Sequence, residues 1–583
     1  MTAPAFGAEI HPLILEQVVA GEAEFVIVLE EQADLGSVSA LRTKVERGRA
    51  VFESLTEVAS RTQAPLIAEL QARGLPHRSY WIANMIWVRG DLEAVELFSA
   101  RADVRRLDAN PHVRLDLRRS GAPAAPTAIE WSLEQVLADQ VWALGYTGTG
   151  VVVAGQDTGY EWDHPALIEQ YRGWNGATAT HDYNWHDAIH GGGGSCGHDS
   201  PEPCDDIDHG THTMGTMVGD DGGANRIGMS PGARWIGCRN MKSGNGTPIT
   251  YSECFQFFLA PTDITGNNPD PTLAPHVINN SWTCSVAEGC APDTLQLVVE
   301  NTRAAGIVIV SAATNLGDGC STIDRPPAIY EASITVGATD SNDDIATLSA
   351  RGPVTADGSG RIKPDVSAPG IDVRSSVRGG FYEVWSGTSM AAPHVVGQIA
   401  LLLDARPDLM GRVDEIESIV ELSAWPRTSS QDCGGIPGTA IPNPVYGHGR
   451  IDALEMLLGD VDGDGVDNLN DCAPTDGTVW TAPGSAVELT LDRGSNATEL
   501  TWNGPPSPGG VSVGYDLLRS SAAGDFAAAT CLESNTSATS ALDGETPEAV
   551  AYYLVRAVND CGGSLGSASN GTLRDGADCP DIP

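Results

Sequence analysis

An apolar run that ends in a carboxylate constrains the fold of this chain more than any other feature. The run Val151–Ala154 leads through Gly155 and Gln156 into Asp157, and a second run, Ile307–Ala313, has the same character. Short continuous apolar runs are typical of strands buried on both faces of a parallel sheet in an α/β protein. Ligands and catalytic groups gather at the carboxyl ends of such strands, so Asp157 is a candidate functional carboxylate.

A serine flanked by small residues is the second candidate. Ser389 lies in the stretch Gly387-Thr388-Ser389-Met390-Ala391-Ala392-Pro393-His394, and the apolar residues that follow have helical spacing. The serine is therefore predicted where a helix begins and backbone N–H groups face incoming negative charge. Taken alone, Gly-Thr-Ser is more often a helix cap than a nucleophile.

Two imidazoles three residues apart supply a candidate base. They lie in His209-Gly210-Thr211-His212. A zinc site needs further ligands, but the sequence has no His-Glu-x-x-His or Cys-x-x-Cys spacing. Asp157-Thr158-Gly159 also suits an aspartic protease, but that chemistry needs a second such carboxylate motif, which is absent. A base at His209, oriented by Asp157 and serving Ser389, uses all three motifs at once.

In this order the three motifs resemble those of the subtilisin-like serine peptidases, and the segment Val277–Trp282 resembles more narrowly the bacillopeptidase F-like branch. The resemblance covers roughly residues 125–457. It implies an α/β, three-layer fold with a mostly parallel central sheet over residues 129–457. It also implies that Ser389 attacks the scissile carbonyl, that His209 transfers the proton and that Asp157 holds the imidazole.

The resemblance further assigns the oxyanion hole to the Asn315 side chain and the Ser389 N–H group. Without it, Asn315 would be interpreted as a loop residue that bonds a local turn. The segments implied to bind substrate are Ser281, Trp282 and Thr283, and Ala312, Ala313 and Thr314. Thr283 and Thr314 stand where the family usually has glycine, so we expect a reshaped pocket for the residue before the scissile bond. Ala166 stands where many relatives carry a calcium-ligating aspartate, so that family calcium site is not expected.

Residues 9–117 predict a small α+β domain of ferredoxin-like order. The pattern predicts a strand over Glu24–Leu29, two helices around Val38–Gly74, a strand over Ser79–Val88, a helix over Asp91–Ala100 and a strand over His112–Leu117. The domain resembles the propeptide of subtilisin-like enzymes, which implies an intramolecular inhibitor that is cut away in a processing linker, residues 118–128. A permanent substrate-binding or docking domain is the alternative.

An acidic loop follows the catalytic region, within residues 458–476. Its oxygen ligands alternate, glycine holds the sixth place and a carboxylate the twelfth, which suits calcium. The predicted ligands are Asp460, Asp462, Asp464, Val466 and Asp471. The loop resembles a thrombospondin type 3 repeat and implies structural calcium; a solvated acidic linker is the alternative.

Residues 480–575 predict a C-terminal β-sandwich. Alternating segments such as Val487–Leu491, Ala497–Trp502, Gly514–Leu518 and Ala551–Val558 are separated by turn residues and resemble a fibronectin type III domain. A disulfide between Cys531 and Cys561 is expected to staple it. Nothing in this region indicates chemistry.

Composition favours an extracytoplasmic protein. The 34 basic and 77 acidic residues give a net charge of −43, which disfavours nucleic acid and anionic membrane surfaces as partners. Twelve cysteines without metal-like spacing predict disulfides, with Cys196–Cys204 and Cys284–Cys290 as plausible pairs. No run is long enough to span a membrane, and Met1–His11 lacks the pattern of a secretory signal, so a signal would have to precede the sequence given. We still expect secretion.

The motifs together predict a secreted serine endopeptidase made as a zymogen, with proteins or peptides as substrates and its own propeptide as inhibitor. Two alternatives remain open. One is a calcium-dependent binding or adhesion protein on an inactive protease scaffold. The other keeps the triad but hydrolyses esters or transfers acyl groups, because an acyl-enzyme does not dictate its acceptor.

Overall fold

The computed structural model describes residues 7–117, 126, 128–192, 194–494, 497–523, 525–545, 550–566, 574, 576, 577 and 579. The chain forms two compact units, Met1–Met456 and Leu457–Pro583. The predicted processing linker, residues 118–128, lies almost wholly outside the described residues.

The amino-terminal part of the first unit is a five-stranded sheet with helices packed against it. Its strands are in the order β1-β5-β2-β4-β3, and β2 is antiparallel to both β4 and β5. The elements in chain order are β1 (Glu9–Ile10), α1 (Pro12–Val19), β2 (Ala23–Leu29), α2 (Lys44–Arg73), β3 (His77–Tyr80), β4 (Met85–Gly90), α3 (Leu92–Ser99), β5 (Val104–Ala109) and β6 (Val113–Arg114).

Three predictions for this part were wrong in detail. The two helices expected around Val38–Gly74 are a short 3-10 turn and one long helix, α2, which begins at a capping box between Thr43 and Glu46. The strand expected over Ser79–Val88 is a hairpin, because Asn84 adopts a left-handed conformation and turns the chain. The last strand of this sheet in chain order is β5 rather than the expected strand His112–Leu117; within that segment β6 pairs with β11, outside this sheet.

The rest of the first unit is built on a seven-stranded sheet. Every neighbouring pair is parallel, in the order β15-β14-β13-β12-β7-β9-β8, which confirms the predicted parallel sheet. The elements are α4 (Trp131–Gln135), α5 (Ala138–Ala143), β7 (Val152–Asp157), β8 (Trp185–Asp187), α6 (His209–Val218), β9 (Arg234–Arg239), β10 (Met241–Lys242), β11 (Asn245–Gly246), α7 (Pro248–Leu259), β12 (Val277–Asn280), α8 (Gln296–Ala304), β13 (Val308–Ala312), β14 (Ile334–Thr339), β15 (Val366–Pro369), β16 (Val373–Val377), β17 (Phe381–Trp385), α9 (Thr388–Ala405), α10 (Val413–Leu422) and α11 (Ala453–Leu458).

Helices cover both faces of this sheet. Ala154, Ile278 and Ile309 share one apolar cluster with side chains of α7 and α8. Among the described residues no side chain of α6 or α9 joins that cluster, and α9 crosses β12 to β15 while packing on α6. Since successive strand side chains point to opposite faces, α6 and α9 lie on the other side of the sheet.

The second unit contains two antiparallel sheets. One has the order β18-β19-β22 and the other β21-β20-β23-β24, and a core that includes Leu500, Trp502, Leu517 and Val555 lies among their strands. The strands are β18 (Val487–Arg493), β19 (Thr498–Asn503), β20 (Gly514–Ser520), β21 (Thr530–Thr536), β22 (Ser540–Asp543), β23 (Tyr552–Asn559) and β24 (Gly562–Ser564).

All twelve cysteines form disulfides. The predicted pairs Cys196–Cys204 and Cys284–Cys290 are confirmed, and the remaining pairs in the first unit are Cys238–Cys254 and Cys320–Cys433. The predicted pair Cys531–Cys561 was wrong, because the second unit has Cys472–Cys561 and Cys531–Cys579 instead. Cys531 lies on β21 and Cys561 follows β23, and β20 lies between those strands, so the two cysteines are separated by more than about 10 Å, too far for a disulfide.

Candidate active site

Asp157 and His209 form a buried pair where a strand ends and a helix begins. Asp157 is the last residue of β7 and His209 the first of α6. The His209 Nδ1 atom lies 2.8 and 2.9 Å from the two Asp157 carboxylate oxygens, and both side chains are almost fully buried. The close approach depends on Gly210, because a Cβ atom there would overlap the carbonyl oxygen of Gly159.

Asp205 holds this pair in place and is a residue that sequence reasoning missed. Its buried carboxylate accepts from the Thr158 hydroxyl at 2.8 Å, next to Asp157, and from the Thr211 hydroxyl at 2.7 Å, within α6. It also accepts from the Asp208 N–H group at 3.0 Å. Burial raises the pKa of Asp205, and the hydrogen bonds from Thr211 and Thr158 act against that shift. The only signal in the sequence is a carboxylate four residues before His209.

Ser389 lies in the first turn of α9 and is 5% exposed. Its Oγ donates to the Ser281 carbonyl at 3.1 Å, while the Ser281 hydroxyl donates to the Ser389 carbonyl at 3.0 Å. The second bond has a clear cause. Pro393 has no N–H group to donate to the carbonyl four residues earlier, so Ser281 satisfies it instead.

The second ring nitrogen of His209, Nε2, points away from Asp157. Among the described residues, His209 Nε2 is buried without a hydrogen-bond partner. The Trp385 ring lies near the imidazole, with centroids 6.0 Å apart, and α6 packs on α9. A nucleophile–base hydrogen bond is often long before substrate binds, so this geometry is compatible with proton transfer from Ser389.

Asn315 lies three residues beyond β13 and reaches the start of α9. Its side-chain oxygen accepts from the Thr388 N–H group at 2.9 Å and from the Thr388 hydroxyl at 3.0 Å. These bonds hold the Asn315 side chain against Thr388, the residue before Ser389. Because the amide oxygen is the acceptor in both bonds, the NH₂ group is the part of the side chain that can donate to another group. Ser389 N–H and Asn315 are thus brought to the same end of one helix.

The predicted substrate-binding residues differ in what they present. Trp282 turns its indole inward, where it donates to the Gln156 carbonyl at 3.1 Å and stacks on Tyr251. Ala312 ends β13, and the Ala313 N–H group bonds β14. Thr283 follows Trp282 in a loop and is half-buried.

Thr314 is strained. Its φ angle is 87°, a left-handed conformation that favours glycine and penalises a β-branched residue, and its buried hydroxyl has no hydrogen-bond partner among the described residues. The strain lies directly before Asn315.

His212, the second imidazole of the motif, does a different job. Its Nε2 lies 3.2 Å from the Glu383 carbonyl and its ring stacks on Trp385 at 4.8 Å. Burial lowers the pKa of His212 to about 3, with a further contribution from His209. The two imidazoles therefore face different partners rather than a shared ion.

The amino-terminal part pairs with the β10–β11 hairpin through β6. Val113 pairs with Gly246 and Arg114 with Asn245, so β6 extends the β10–β11 hairpin by one antiparallel strand. The Leu115 N–H group continues the ladder to the Gly244 carbonyl at 2.8 Å. Sequence reasoning predicted a strand here but not its partner.

The predicted calcium ligands lie in the second unit. One oxygen from each of Asp460, Asp462 and Asp464 lies within 4.8 Å of the others. Asp462 Oδ2 and Asp464 Oδ2 are buried and without a hydrogen-bond partner among the described residues. Asp471 is buried, and one of its oxygens accepts from Ala473 at 2.8 Å; Val466 donates its N–H to Asp464. Orphaned buried carboxylate oxygens fit a hard cation.

The fold and the site define a class of protein: a hydrolase with a buried Asp–His pair, a serine at a helix start and an amide donor beside it. Sequence comparison gives the family. The sequence model of the subtilase family matches residues 148–449. The chain therefore belongs to the subtilase family of serine endopeptidases.

Individual relatives agree with this assignment. Bacillopeptidase F of Bacillus subtilis (strain 168) is 37% identical over 458 residues, which cover 74% of this chain and 30% of that protein. Serine protease AprX of the same organism is 30% identical over 337 residues, 54% of this chain and 67% of AprX. Subtilisin E is 28% identical over 306 residues, 52% of this chain and 68% of subtilisin E. The chain thus spans less than a third of bacillopeptidase F.

Proposed function

We propose that this chain is a serine endopeptidase of proteins or peptides, made as a zymogen. The observation that carries the proposal is the joint position of Asp157, His209, Asn315 and Ser389 at one end of the parallel sheet. Ser389 Oγ attacks the scissile carbonyl and His209 Nε2 accepts its proton. Asp157 keeps the imidazole oriented through Nδ1 and stabilises its charged form.

The tetrahedral oxyanion is bound by the Asn315 amide and the Ser389 N–H group. His209 then donates its proton to the leaving amine, and a water molecule completes hydrolysis of the acyl-enzyme. Because α9 begins at Thr388, its first N–H groups add a favourable field for the developing charge.

The inhibitory role of the amino-terminal region is supported by how it is held. The turn between β3 and β4 donates two backbone N–H groups, from Trp81 and Ile82, to the Gln256 side chain at 2.8 and 3.2 Å. Asn301 donates to the Ile82 carbonyl at 2.6 Å. With β6 in the ladder beside Gly244, the region occupies the strand position that a substrate would need.

A buried carboxylate adds a charged contact. The Tyr80 hydroxyl donates to Glu253 Oε2 at 2.6 Å, while His186 and His190 approach Glu253 Oε1 at 2.8 and 2.7 Å. Burial alone would raise the pKa of Glu253, but the hydrogen bonds from the two imidazoles lower it well below its usual range. A charged acceptor makes the Tyr80 contact stronger than a neutral one.

Secretion and calcium binding are the remaining parts of the proposal. Six disulfides and the net charge of −43 support an oxidising, extracytoplasmic location. None of the described helices is long and apolar enough to cross a bilayer. Calcium held by Asp460, Asp462 and Asp464, with Val466 and Asp471 completing the loop, would stabilise the second unit. For that unit, a fibronectin type III-like sandwich, the proposed role is spacing, surface attachment or substrate tethering.

The calcium site has its own test. Calcium should raise the unfolding temperature of the purified chain, and Asp464→Asn should reduce that increase. Asp476→Asn is the matched control, because Asp476 accepts from Thr478 and lies outside the three-carboxylate group. An equal calcium response in both variants would contradict the assignment.

A phosphonylating serine-hydrolase probe tests the catalytic proposal. The purified chain, treated to remove the amino-terminal region, should take up one probe at Ser389 by peptide mapping and cleave a denatured protein. Ser389→Ala should do neither. A chain that stays unlabelled after that treatment would favour a binding protein on an inactive scaffold. Labelling with acyl transfer to added amines exceeding hydrolysis would favour the acyl-transfer alternative.

A further inference from the structure

We propose that the zymogen cuts itself at the Asp116–Leu117 peptide bond, upstream of the linker 118–128. The inference rests on the proposed function, and it names the bond that Ser389 attacks first. The Gly246 and Gly244 positions pair with Val113 and Leu115 along one edge of the incoming strand.

The opposite edge of the same strand is also bound. The Arg114 N–H group donates to Glu288 Oε1 at 2.9 Å, and Glu288 follows the Ser281–Thr283 segment in the chain. In an extended strand the N–H and C=O groups of one residue point to the same edge, and successive residues alternate. Leu115 therefore faces β11, whereas Arg114 and Asp116 face the side of Ser281.

Leu117 fixes the path of the chain beyond this point. Its side chain is partly buried against the apolar cluster formed by Val373, Val377, Trp385 and Met390. Met390 is the residue after Ser389, and Trp385 lies against His209. The chain thus passes the nucleophile between Leu115, which is still in the ladder, and Leu117, which is already beyond Ser389.

Asp116 is the single residue between these two anchors. By the alternation of the strand, its carbonyl points to the edge where Ser281 bonds Ser389 and where Asn315 meets α9, whereas the Leu115 carbonyl points to β11. The electrophile presented to Ser389 is therefore the carbonyl carbon of Asp116 rather than that of Leu115.

The chemistry follows the proposed triad. Ser389 Oγ bonds to the Asp116 carbonyl carbon and gives its proton to His209; the C–N bond to Leu117 breaks, and the Leu117 nitrogen takes that proton. Water then hydrolyses the Asp116 acyl-enzyme. The released inhibitor ends in Asp116, and the mature chain begins at Leu117 and keeps Arg118 and Arg119.

Intact mass and amino-terminal sequencing at early times of self-processing test this. The full chain should yield a new terminus at Leu117 and Ser389→Ala none. Leu117→Pro should slow that cut on the order of 100-fold, because proline replaces the leaving N–H amine and disturbs the reacting geometry. Ala122→Pro is the matched control and should still start at Leu117. If Leu117→Pro fails to fold, the first terminus of the unmodified full chain still decides, because a terminus at Leu117 supports the assignment and one at another residue overturns it.

The outcomes separate the two proposals. A first terminus anywhere from Ser120 to Ile129, with Ser389 labelled by the probe, overturns the assigned bond and leaves the peptidase intact. No cut, together with no probe label after the amino-terminal region has been removed, overturns the proposed function itself; no cut with a label after that removal overturns only the self-cleavage. A Leu117 terminus that Leu117→Pro removes and Ala122→Pro keeps supports the assignment.

Discussion

The first unit contains two buried polar contacts, the Asp157–His209 pair and the Tyr80–Glu253 bond. They differ in which parts of the unit supply the two partners. Asp157 and His209 belong to neighbouring elements of one core, and glycine at position 210 lets those elements touch. Tyr80 and Glu253 are 173 residues apart and meet only because the amino-terminal sheet rests on α7. The comparison indicates that the Asp157–His209 geometry is set within the parallel-sheet part itself, whereas the Tyr80–Glu253 bond depends on the amino-terminal sheet packing on α7.

Asp157→Asn tests the Asp157–His209 pair and should have the largest effect. The substitution preserves shape but removes the charge that selects the His209 tautomer, so we expect kcat to fall by roughly 10⁴. Steady-state kinetics on a peptide substrate measures this, with thermal unfolding as a check on folding. A loss smaller than about tenfold would mean that Asp157 is not the orienting carboxylate.

Asn315→Ala tests the oxyanion donor and should have the next largest effect. We expect kcat to fall by about 10²–10³ while KM changes little, because the lost bond forms only as negative charge develops. The same kinetics gives both constants. An increase confined to KM would instead assign Asn315 to ground-state binding.

Tyr80→Phe tests the Tyr80–Glu253 hydrogen bond, which joins the amino-terminal sheet to α7. Removing a hydrogen bond to a charged acceptor costs about 1.5–3 kcal/mol, so the amino-terminal region should leave the enzyme at least about tenfold faster after cleavage. The lag before activity appears in a continuous assay measures the release. Tyr552→Phe, in the exposed part of the second unit, should keep the original lag; an unchanged lag in Tyr80→Phe would remove this contact from the inhibitory interface.

The pH dependence of stability should show the smallest effect. Burial disfavours the charged ring of His190, but Glu253 and Asp199 outweigh it and raise its pKa. Its stabilising contribution is therefore complete below the unfolded value of about 6.5 and is lost as the pH rises through the folded pKa. Glu253 behaves oppositely, because its pKa is lowered. Its stabilising contribution is complete above a pH of about 4.3 and is lost as the pH falls through the folded pKa.

The Ser389→Ala full chain, which cannot process itself, is the sample for this measurement. Its unfolding temperature should decline as the pH rises from near 6 to near 9, and His190→Gln should flatten that decline. If the unfolding temperatures of both proteins decline equally, groups other than His190 cause the loss of stability at alkaline pH.

Much of the parallel sheet was predictable because its strands carry their signal locally. The apolar run before Asp157 and the run before Asn315 needed no knowledge of their neighbours. The contacts of Gln256 and Glu253 could not be predicted, since each depends on a partner more than 170 residues away. The length of α2 was missed for a local reason: Pro65 lies inside the helix, where proline ordinarily ends one.

The proline in α9 has a mechanical consequence. Because Pro393 cannot donate, the Ser389 carbonyl takes its hydrogen bond from Ser281, and Ser389 Oγ returns one to the Ser281 carbonyl. Two hydrogen bonds thereby join Ser389 to the segment after β12. Displacing the Ser281 carbonyl would therefore free the Ser389 hydroxyl, while the Ser281 hydroxyl would still hold the Ser389 carbonyl at the start of α9.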